Sequence, residues 1–600
     1  MHLLGWDYPN DRIEKGVGLD GLSERIAAVK ADAAATLLVD NGDFLQGTLL
    51  GDWHVTEWRR GRAPSHPMTT AMEELGYDAV TLGNHEFDYG LDYLSAVCRH
   101  AAFPIVSANL HRPNGSSVPL ETVRPWVLID RMAPNAEGVP TPLRIGVFGV
   151  MPPQTMNWNR RVMQGHATVS GIVEASTKAV TQLRNAGADL VVALSHSGIV
   201  ALDHPASDEN ASLRLAEVPG IDAIVAGHTH KLFPGPDHDG ILGVDSSAGT
   251  LADTPAVMPG CWGSHLGQID LALRHHETQG WSATVQNVRL HTPTTTPETG
   301  KRRTCSFPRR ALAAHESARA WGAQPFGQSL TPLHSYFTPV HSGAACDLMA
   351  QAQLWGLMQH VDDPDLQALP VLSAVSPFRS GGRAGPSGYV DIPAGPLTRA
   401  AAAMLFPFPN ELRALVIDGR ALRDWLDHAM AQFTQITPGA GDRPLLIEDW
   451  LAHNFDVVVG VHYRIDLTVA PRPSGRDGRS RISEIRHHGR PITDGSRFLL
   501  VTNEYRANGG GGFPGCTPQA VVAEPRITAQ EALEGFLADR GPYRMNGSGS
   551  VFEFDPVEGA SAIVVTGPGA ARHLGADGVP YLEPLGQNAE GFDRYRLRLS

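Results

Sequence analysis

The amino-acid sequence predicts an α/β (α+β) chain divided into two domains, on three observations. Four apolar, strand-like runs at residues 35–38, 78–82, 190–194 and 221–225 lead into Asp, Asn or His. Helical patterns lie between them, the alternation that builds a largely parallel sheet. Six hundred residues exceed what one core holds, which makes two domains the natural division. At residue 346 the pattern restarts with an amphipathic helix, residues 346–360, and continues into strands and glycine-rich loops of its own.

In chain order, residues 19–30 read as a helix, with Leu22, Ile26, Ala27 and Val29 near helical spacing, and the first run after it ends in Asp40-Asn41-Gly42-Asp43. A helix at 68–76 feeds the second run, which ends in Gly83-Asn84-His85-Glu86-Phe87-Asp88, and another helical pattern begins near Leu91. Residues 144–150 read as a strand and 173–185 as a helix before the run that ends in Ser195-His196. The fourth run ends in Gly227-His228-Thr229-His230, where histidines at i and i+2 face the same side of an extended segment. Residues 268–273 alternate as a strand, 292–300 are turn-rich and 311–321 have helix-former composition. The expected division is a first domain at 1–300, a linker with a helix at 301–345, and a second domain at 346–600. In the second domain, 419–430 read as a helix and 551–600 as small β-structure.

A single Asp or His after a strand is commonly a cap or a satisfied buried group. Four in succession carry more weight, because the crevice beyond the carboxyl ends of strands is where α/β units bind ligands. Their oxygen and nitrogen donors suit divalent metals such as Mn, Fe, Co or Zn. Asp40 and Asn41 read as turn-shaping residues.

The net charge of −14 argues against a polyanion partner, which needs a basic stripe to displace counterions, while leaving room for a small anion held by metals. No apolar run reaches 18 residues, so no membrane span is expected. Five scattered cysteines, Cys98, Cys261, Cys305, Cys346 and Cys516, form neither a disulfide framework nor a zinc knuckle, and read as buried or free thiols. No basic and apolar leader precedes Gly5-Trp6-Asp7.

On these blocks the sequence resembles the calcineurin-like metallophosphoesterases. Their order of Asp-x-His, Gly-Asp, Gly-Asn-His-Glu, His and Gly-His-x-His is matched in every block except the first. Trp6-Asp7-Tyr8 stands where the family has a similar triplet just after that block, so the block is expected before Met1, cut off by a misplaced start; His2 reads as a mobile terminal residue rather than a substitute. The resemblance implies a four-layer β-sandwich flanked by helices and two divalent metal ions (Mn, Zn, Co, Fe or Mg). Asp43 would bridge them, Asn84, His196 and His228 would complete one site, and His230 would serve the other. It also implies His85 as the group that contacts phosphate and protonates the leaving oxygen, with Asp88 orienting it.

The second domain resembles the C-terminal, α+β nucleotide-binding domain of bacterial nucleotidases, through Pro377-Phe378-Arg379-Ser380-Gly381-Gly382-Arg383, Phe406-Pro407-Phe408, Asn454-Phe455-Asp456 and Asn503-Glu504-Tyr505-Arg506. That implies substrate binding by Arg379, Arg383, Phe408 and Tyr505, the two aromatics sandwiching the base. Within the superfamily the match is to the bifunctional 2',3'-cyclic-nucleotide 2'-phosphodiesterase/3'-nucleotidases. Their reaction is therefore expected: metal-dependent hydrolysis of 2',3'-cyclic nucleotides to 3'-nucleotides, and of those to nucleosides and phosphate. The alternatives are a 5'-nucleotidase or nucleotide-sugar hydrolase, and a nucleotide-binding chain impaired in catalysis. Partners are expected to be small-molecule nucleotides, with no nucleic-acid polymer and no membrane, for a monomer. By resemblance the place is the periplasm, with the cytoplasm as the alternative.

Overall fold

The computed structural model describes residues 1–63, 65–113, 120–276, 280–294, 309–447, 450–472, 478–545, 549–575 and 578–600. The chain forms two compact units, Met1–Gly322 and Ala323–Ser600.

The first unit is built around two main sheets, with smaller two-stranded pairs beside them. A parallel four-stranded sheet runs Val39–Asp40, Ala79–Thr81, Ile105–Val106, Val123–Arg124. The larger sheet is built on parallel strands Pro140–Val150, Leu190–Ser195, Ala223–Ala226 and Thr254–Pro259, with antiparallel strands at its margins, among them Trp126–Pro134. The apolar runs are continuous rather than alternating because the central strands are covered on both faces. Leu190, Val192 and Leu194 share a core with Ala79 and Val106 of the smaller sheet. Val191 and Ala193, one residue out of phase, pack with Ile172, Ala179, Val180 and Leu183 of the helix Ile172–Asn185. Each such buried Val or Leu contributes roughly 1.5–3 kcal/mol. The strands of both sheets therefore end at fixed places, and the Asp, Asn and His side chains just beyond them inherit that precision.

The helices read from periodicity are present as Leu19–Asp32, Pro67–Leu75, Leu91–His100 and Ile172–Asn185. The expected linker is divided between the units. Its helix, Arg309–Gly322, lies in the first, where Ala311, His315 and Ala318 bury one face and His315 Nδ1 meets Tyr8 Oη at 2.9 Å. Small residues at helical spacing let it pack against Leu49–Arg59 and Pro67–Leu75. The strand Pro325–Ser329 already belongs to the second unit. Residues 301–308, with Arg302, Arg303 and Cys305, lie outside the described residues. His2, expected to be mobile, is half-buried and stacks on Trp262 with ring centroids 5.3 Å apart.

The second unit centres on a mixed five-stranded sheet in the order Val457–Val459, Val371–Val375, Arg497–Asn503, Leu412–Asp418, Val521–Ala523. The helices Gly343–Met358 and Gly419–Ala429 are those read from the sequence, and short strands form at Phe552–Phe554, Ser561–Thr566, Leu582–Gln587 and Asp593–Arg598. The four described cysteines, Cys98, Cys261, Cys346 and Cys516, are free thiols. Among the described residues no helix is long and apolar enough to cross a membrane.

Candidate functional site

Three of the four strand-end blocks meet at Gly83. A Cβ there would lie 2.3 Å from Asp43 Oδ1 and 2.5 Å from His196 Cε1, so only glycine lets the Asp43 turn and His196 approach the Gly83-Asn84-His85 segment. Glu86, which the sequence reading quoted without a role, fixes that approach. Its buried carboxylate accepts from the backbone N–H groups of Gly83 (2.6 Å), Asp43 (2.7 Å), Phe44 (2.7 Å) and Leu45 (3.2 Å). Burial and the neighbouring Asp43 charge push the Glu86 acid upward, and the N–H bonds oppose them by favouring the ionised form. Asp40 Oδ1 accepts from Gly42 N at 3.0 Å, the turn role expected of it.

Asp43, His228 and His230 all have left-handed backbones, with φ of 58°, 70° and 62°. Such conformations cost about 1–3 kcal/mol each and cluster where the fold holds functional groups in place.

His196 is buried, and its Nδ1 lies 2.6 Å from the Asn41 carbonyl, which can only accept; Nδ1 therefore carries the hydrogen and Nε2 the lone pair. Nε2 lies 3.0 Å from Asp43 Oδ2 but off any hydrogen-bond line. Two electron-rich atoms thus face each other and call for a cation between them. A proton on Nε2 also meets that demand, and the titration of the two groups favours it. Burial alone would raise Asp43, yet His196 and His85 hold it well below its ordinary value, and Asp43 raises His196 against the opposing effect of burial.

His228 repeats the arrangement. Its Nε2 donates to Glu209 Oε1 at 3.0 Å, and Nδ1 lies within hydrogen-bond distance of Asn84 Oδ1, at 3.1 Å. The His196 and His228 rings are 5.5 Å apart, and Trp158 stacks on His228 at 5.5 Å and 22°. Asn159 holds the Asn84 backbone, donating from Nδ2 to its carbonyl at 3.0 Å.

Asp43, His196, His228 and Asn84 therefore stand as two facing pairs of lone-pair donors. Among the described residues no three His, Cys, Asp or Glu side chains close around one point. The chemistry of the set nevertheless fits a divalent ion, since one carboxylate, one amide oxygen and two imidazole nitrogens stand beside one another and His196 Nε2 has no hydrogen-bond partner. His230 is exposed by area, yet desolvation lowers its imidazole to about 4, so it is a neutral ring at neutral pH.

His85 and Asp88 are brought together as expected. His85 Nδ1 lies 2.8 Å from Asp88 Oδ2, and the His85 backbone N–H donates to Asp43 Oδ1 at 2.9 Å. Burial opposes the His85 charge, but Asp88 and Asp43 raise the imidazole to about 10.

In the second unit Phe408 is half-buried in the loop between helix Arg399–Leu405 and strand Leu412–Asp418, edge-on to Phe378 at 5.4 Å. Tyr505 is half-buried in the short helix Glu504–Ala507, and a Cβ on Gly510 would lie 2.5 Å from its ring. Arg379 is half-buried, its carbonyl accepting from Ser335 Oγ and Val390 N. The Arg383 side chain lies outside the described structure.

The segments that carry Tyr505 and that precede Arg379 are tied by a pair the sequence reading did not assign. Arg506 and Asp456 are each 1% exposed. Arg506 donates from Nε and Nη2 to Asp456 at 2.9 Å and also to the carbonyls of Gly510 and His453, and its guanidinium lies 3.7 Å from the Phe513 ring centroid. Asp456 additionally accepts from Ser376 Oγ and from Trp425 Nε1, the latter at 3.2 Å.

Comparison with known proteins gives a consistent family. Residues 15–232 match the calcineurin-like phosphoesterase model, and residues 340–517 match that of the 5'-nucleotidase C-terminal domain. The chain is 35% identical over 526 residues to a 2',3'-cyclic-nucleotide 2'-phosphodiesterase/3'-nucleotidase of Salmonella typhimurium, covering 85% of this chain and 80% of the relative. It is 32% identical over 613 residues to the trifunctional nucleotide phosphoesterase protein YfkN of Bacillus subtilis, covering all of this chain but 41% of that larger protein. In fold it is similar to a putative 5'-nucleotidase of Staphylococcus aureus, with a TM-score of 0.71 at 19% identity over 92% of this chain and 97% of that one.

Proposed function

We propose, because this chain belongs to the calcineurin-like phosphoesterase family and carries a 5'-nucleotidase C-terminal domain, that it hydrolyses 2',3'-cyclic nucleotides to 3'-nucleotides, and these to nucleosides and phosphate. The observation that carries the reading is the gathering of two donor pairs, Asp43 with His196 and Asn84 with His228, in which the buried His196 Nε2 has no hydrogen-bond partner and a divalent ion would supply one. Family members generally use divalent ions. Two would be held, one by Asp43, Asn84, His196 and His228 and the other by Asp43 and His230; Mn, Zn, Co, Fe and Mg all suit such donors.

When bound, such ions supply Lewis acidity toward a phosphoryl group and acidify water near neutral pH. The chain's own residues do the rest. Asp88 holds His85 Nδ1, so Nε2 is the atom that hands its proton to the departing 2' oxygen of the ribose as the bond from phosphorus breaks. Glu86 holds the Asp43 turn against Gly83 by four backbone N–H bonds, fixing the distance between the carboxylate and the Asn84-His85 pair. In the second unit, Phe408 and Tyr505 are proposed to stack on the base, with Arg379 and Arg383 as further substrate contacts. Small nucleotides are the partners of a monomer working in the periplasm.

Replacing Tyr505 by Ala tests the base contact. Loss of one stacking face, worth about 1–3 kcal/mol, is expected to raise KM for nucleotides by roughly 5–150-fold while sparing a phosphodiester that carries no base. Equal loss on both substrates contradicts the assignment. The substrate reading is tested by a panel of 2',3'-cyclic AMP, 3'-AMP and 5'-AMP. Turnover of the first two is expected, and preference for 5'-AMP contradicts it.

A further inference from the structure

We infer that Glu209 is a positioning residue for the divalent-ion site, holding the His228 imidazole in the tautomer and plane that leave Nδ1 free to donate. The inference rests on the reading that Asp43, Asn84, His196 and His228 take such an ion.

Glu209 comes from a loop that leaves one donor and returns beside it. After His196 the chain runs outward from Ile199 and is bridged back at Ala211. Three hydrogen bonds anchor the return: Ser197 Oγ donates to the Glu209 carbonyl at 2.6 Å, Ala211 N donates to Ser197 Oγ at 2.6 Å, and Gly198 N donates to Asn210 Oδ1 at 3.2 Å. The Glu209 backbone is thus fixed to the residue that follows His196, while its side chain reaches a different donor. Oε1 lies 3.0 Å from His228 Nε2.

A carboxylate on that nitrogen does two things. Being an acceptor, it keeps a hydrogen on Nε2 and so reserves Nδ1, the atom within 3.1 Å of Asn84 Oδ1, as the nitrogen that would meet a cation. It also makes the imidazole a stronger base toward a cation. The Trp158 ring, stacked at 22° to the imidazole, restrains the plane that the hydrogen bond alone leaves free to rotate. Asp208, one residue earlier, supplies an internal comparison: its side chain is 81% exposed and is paired with Arg214 at 3.5 Å.

The test uses the full chain freed of metal, titrated with Mn²⁺ by calorimetry and with Co²⁺ by visible absorption. Glu209→Ala is expected to weaken Mn²⁺ binding by about 10–100-fold and to alter the Co²⁺ spectrum. Glu209→Gln, whose amide oxygen still accepts from Nε2–H, is expected to recover most of the affinity. Asp208→Asn should bind as the unaltered protein does. Glu209→Ser is read beside Glu209→Ala, and circular dichroism establishes that each variant is folded. Alanine and serine variants that bind Mn²⁺ as tightly as the unaltered chain overturn the inference, as does a loss in Asp208→Asn equal to that in Glu209→Ala. If the unaltered chain takes up no divalent ion, the donor assignment fails first and Glu209 with it.

Discussion

Replacing His85 by Ala is expected to lower kcat on 2',3'-cyclic AMP by about 10²–10⁴-fold, the usual contribution of a positioned general acid, while divalent-ion affinity changes little. The two effects separate because the His85 side chain is engaged by Asp88 at Nδ1, whereas the facing donors belong to Asp43, His196, Asn84 and His228. The leaving group provides an independent check. A p-nitrophenolate departs without protonation, so the variant should lose much less on a p-nitrophenyl phosphodiester than on the nucleotide. Steady-state kinetics on both substrates, with metal binding measured alongside, reads the result. Equal losses on both would assign His85 to something other than proton transfer to the leaving oxygen.

The largest effect expected on stability is at Asp456. It and Arg506 form a fully buried ion pair, and removing one partner leaves the other charge without compensation, at about 3–5 kcal/mol. Asp456→Ala is expected to lower the stability of the C-terminal unit by that amount in urea unfolding. It should also weaken nucleotide binding, because Arg506 ties the carbonyls of Gly510 and His453 to the segment that carries Tyr505. Asp456→Asn, which keeps one oxygen able to accept from Ser376 or from Trp425 but not from both, should lose less. A change below about 1 kcal/mol in Asp456→Ala would place the pair among those that contribute little.

The layout of the first unit was legible because parallel strands buried on both faces must be apolar throughout, and the first polar residue then marks the strand end. Asp43, Asn84, His196 and His228 were found by that signal, and the structure brings them together. The helices were legible for the related reason that one face is buried at helical spacing, as in Ile172–Asn185 with Ile172, Ala179, Val180 and Leu183. The supporting carboxylates were not. Glu86 sits inside the Gly83–Asp88 block, and a Glu three residues after Gly83 is a reasonable acceptor for the backbone N–H groups of that turn, so a signal existed. Glu209 offers none, because its partner is 19 residues away in sequence, beyond the helix Ser212–Ala216 and the strand Ala223–Ala226. Arg506 and Asp456 stand in segments quoted from the resemblance, but pairing across 50 residues is a property of packing and is invisible to local pattern. The helix Arg309–Gly322 reads as part of a linker because it follows a turn-rich stretch. Its assignment to the first unit depends on which surface receives Ala311, His315 and Ala318.

The measurement that bears most directly on the central claim is the fate of 2',3'-cyclic AMP, followed by chromatography, with the chain stripped by a chelator and then resupplied with Mn²⁺. The stripped chain is predicted to be inert. On resupply, 3'-AMP should form first and adenosine with phosphate afterwards. Undiminished hydrolysis in the presence of the chelator, or 2'-AMP as the first product, would contradict the account.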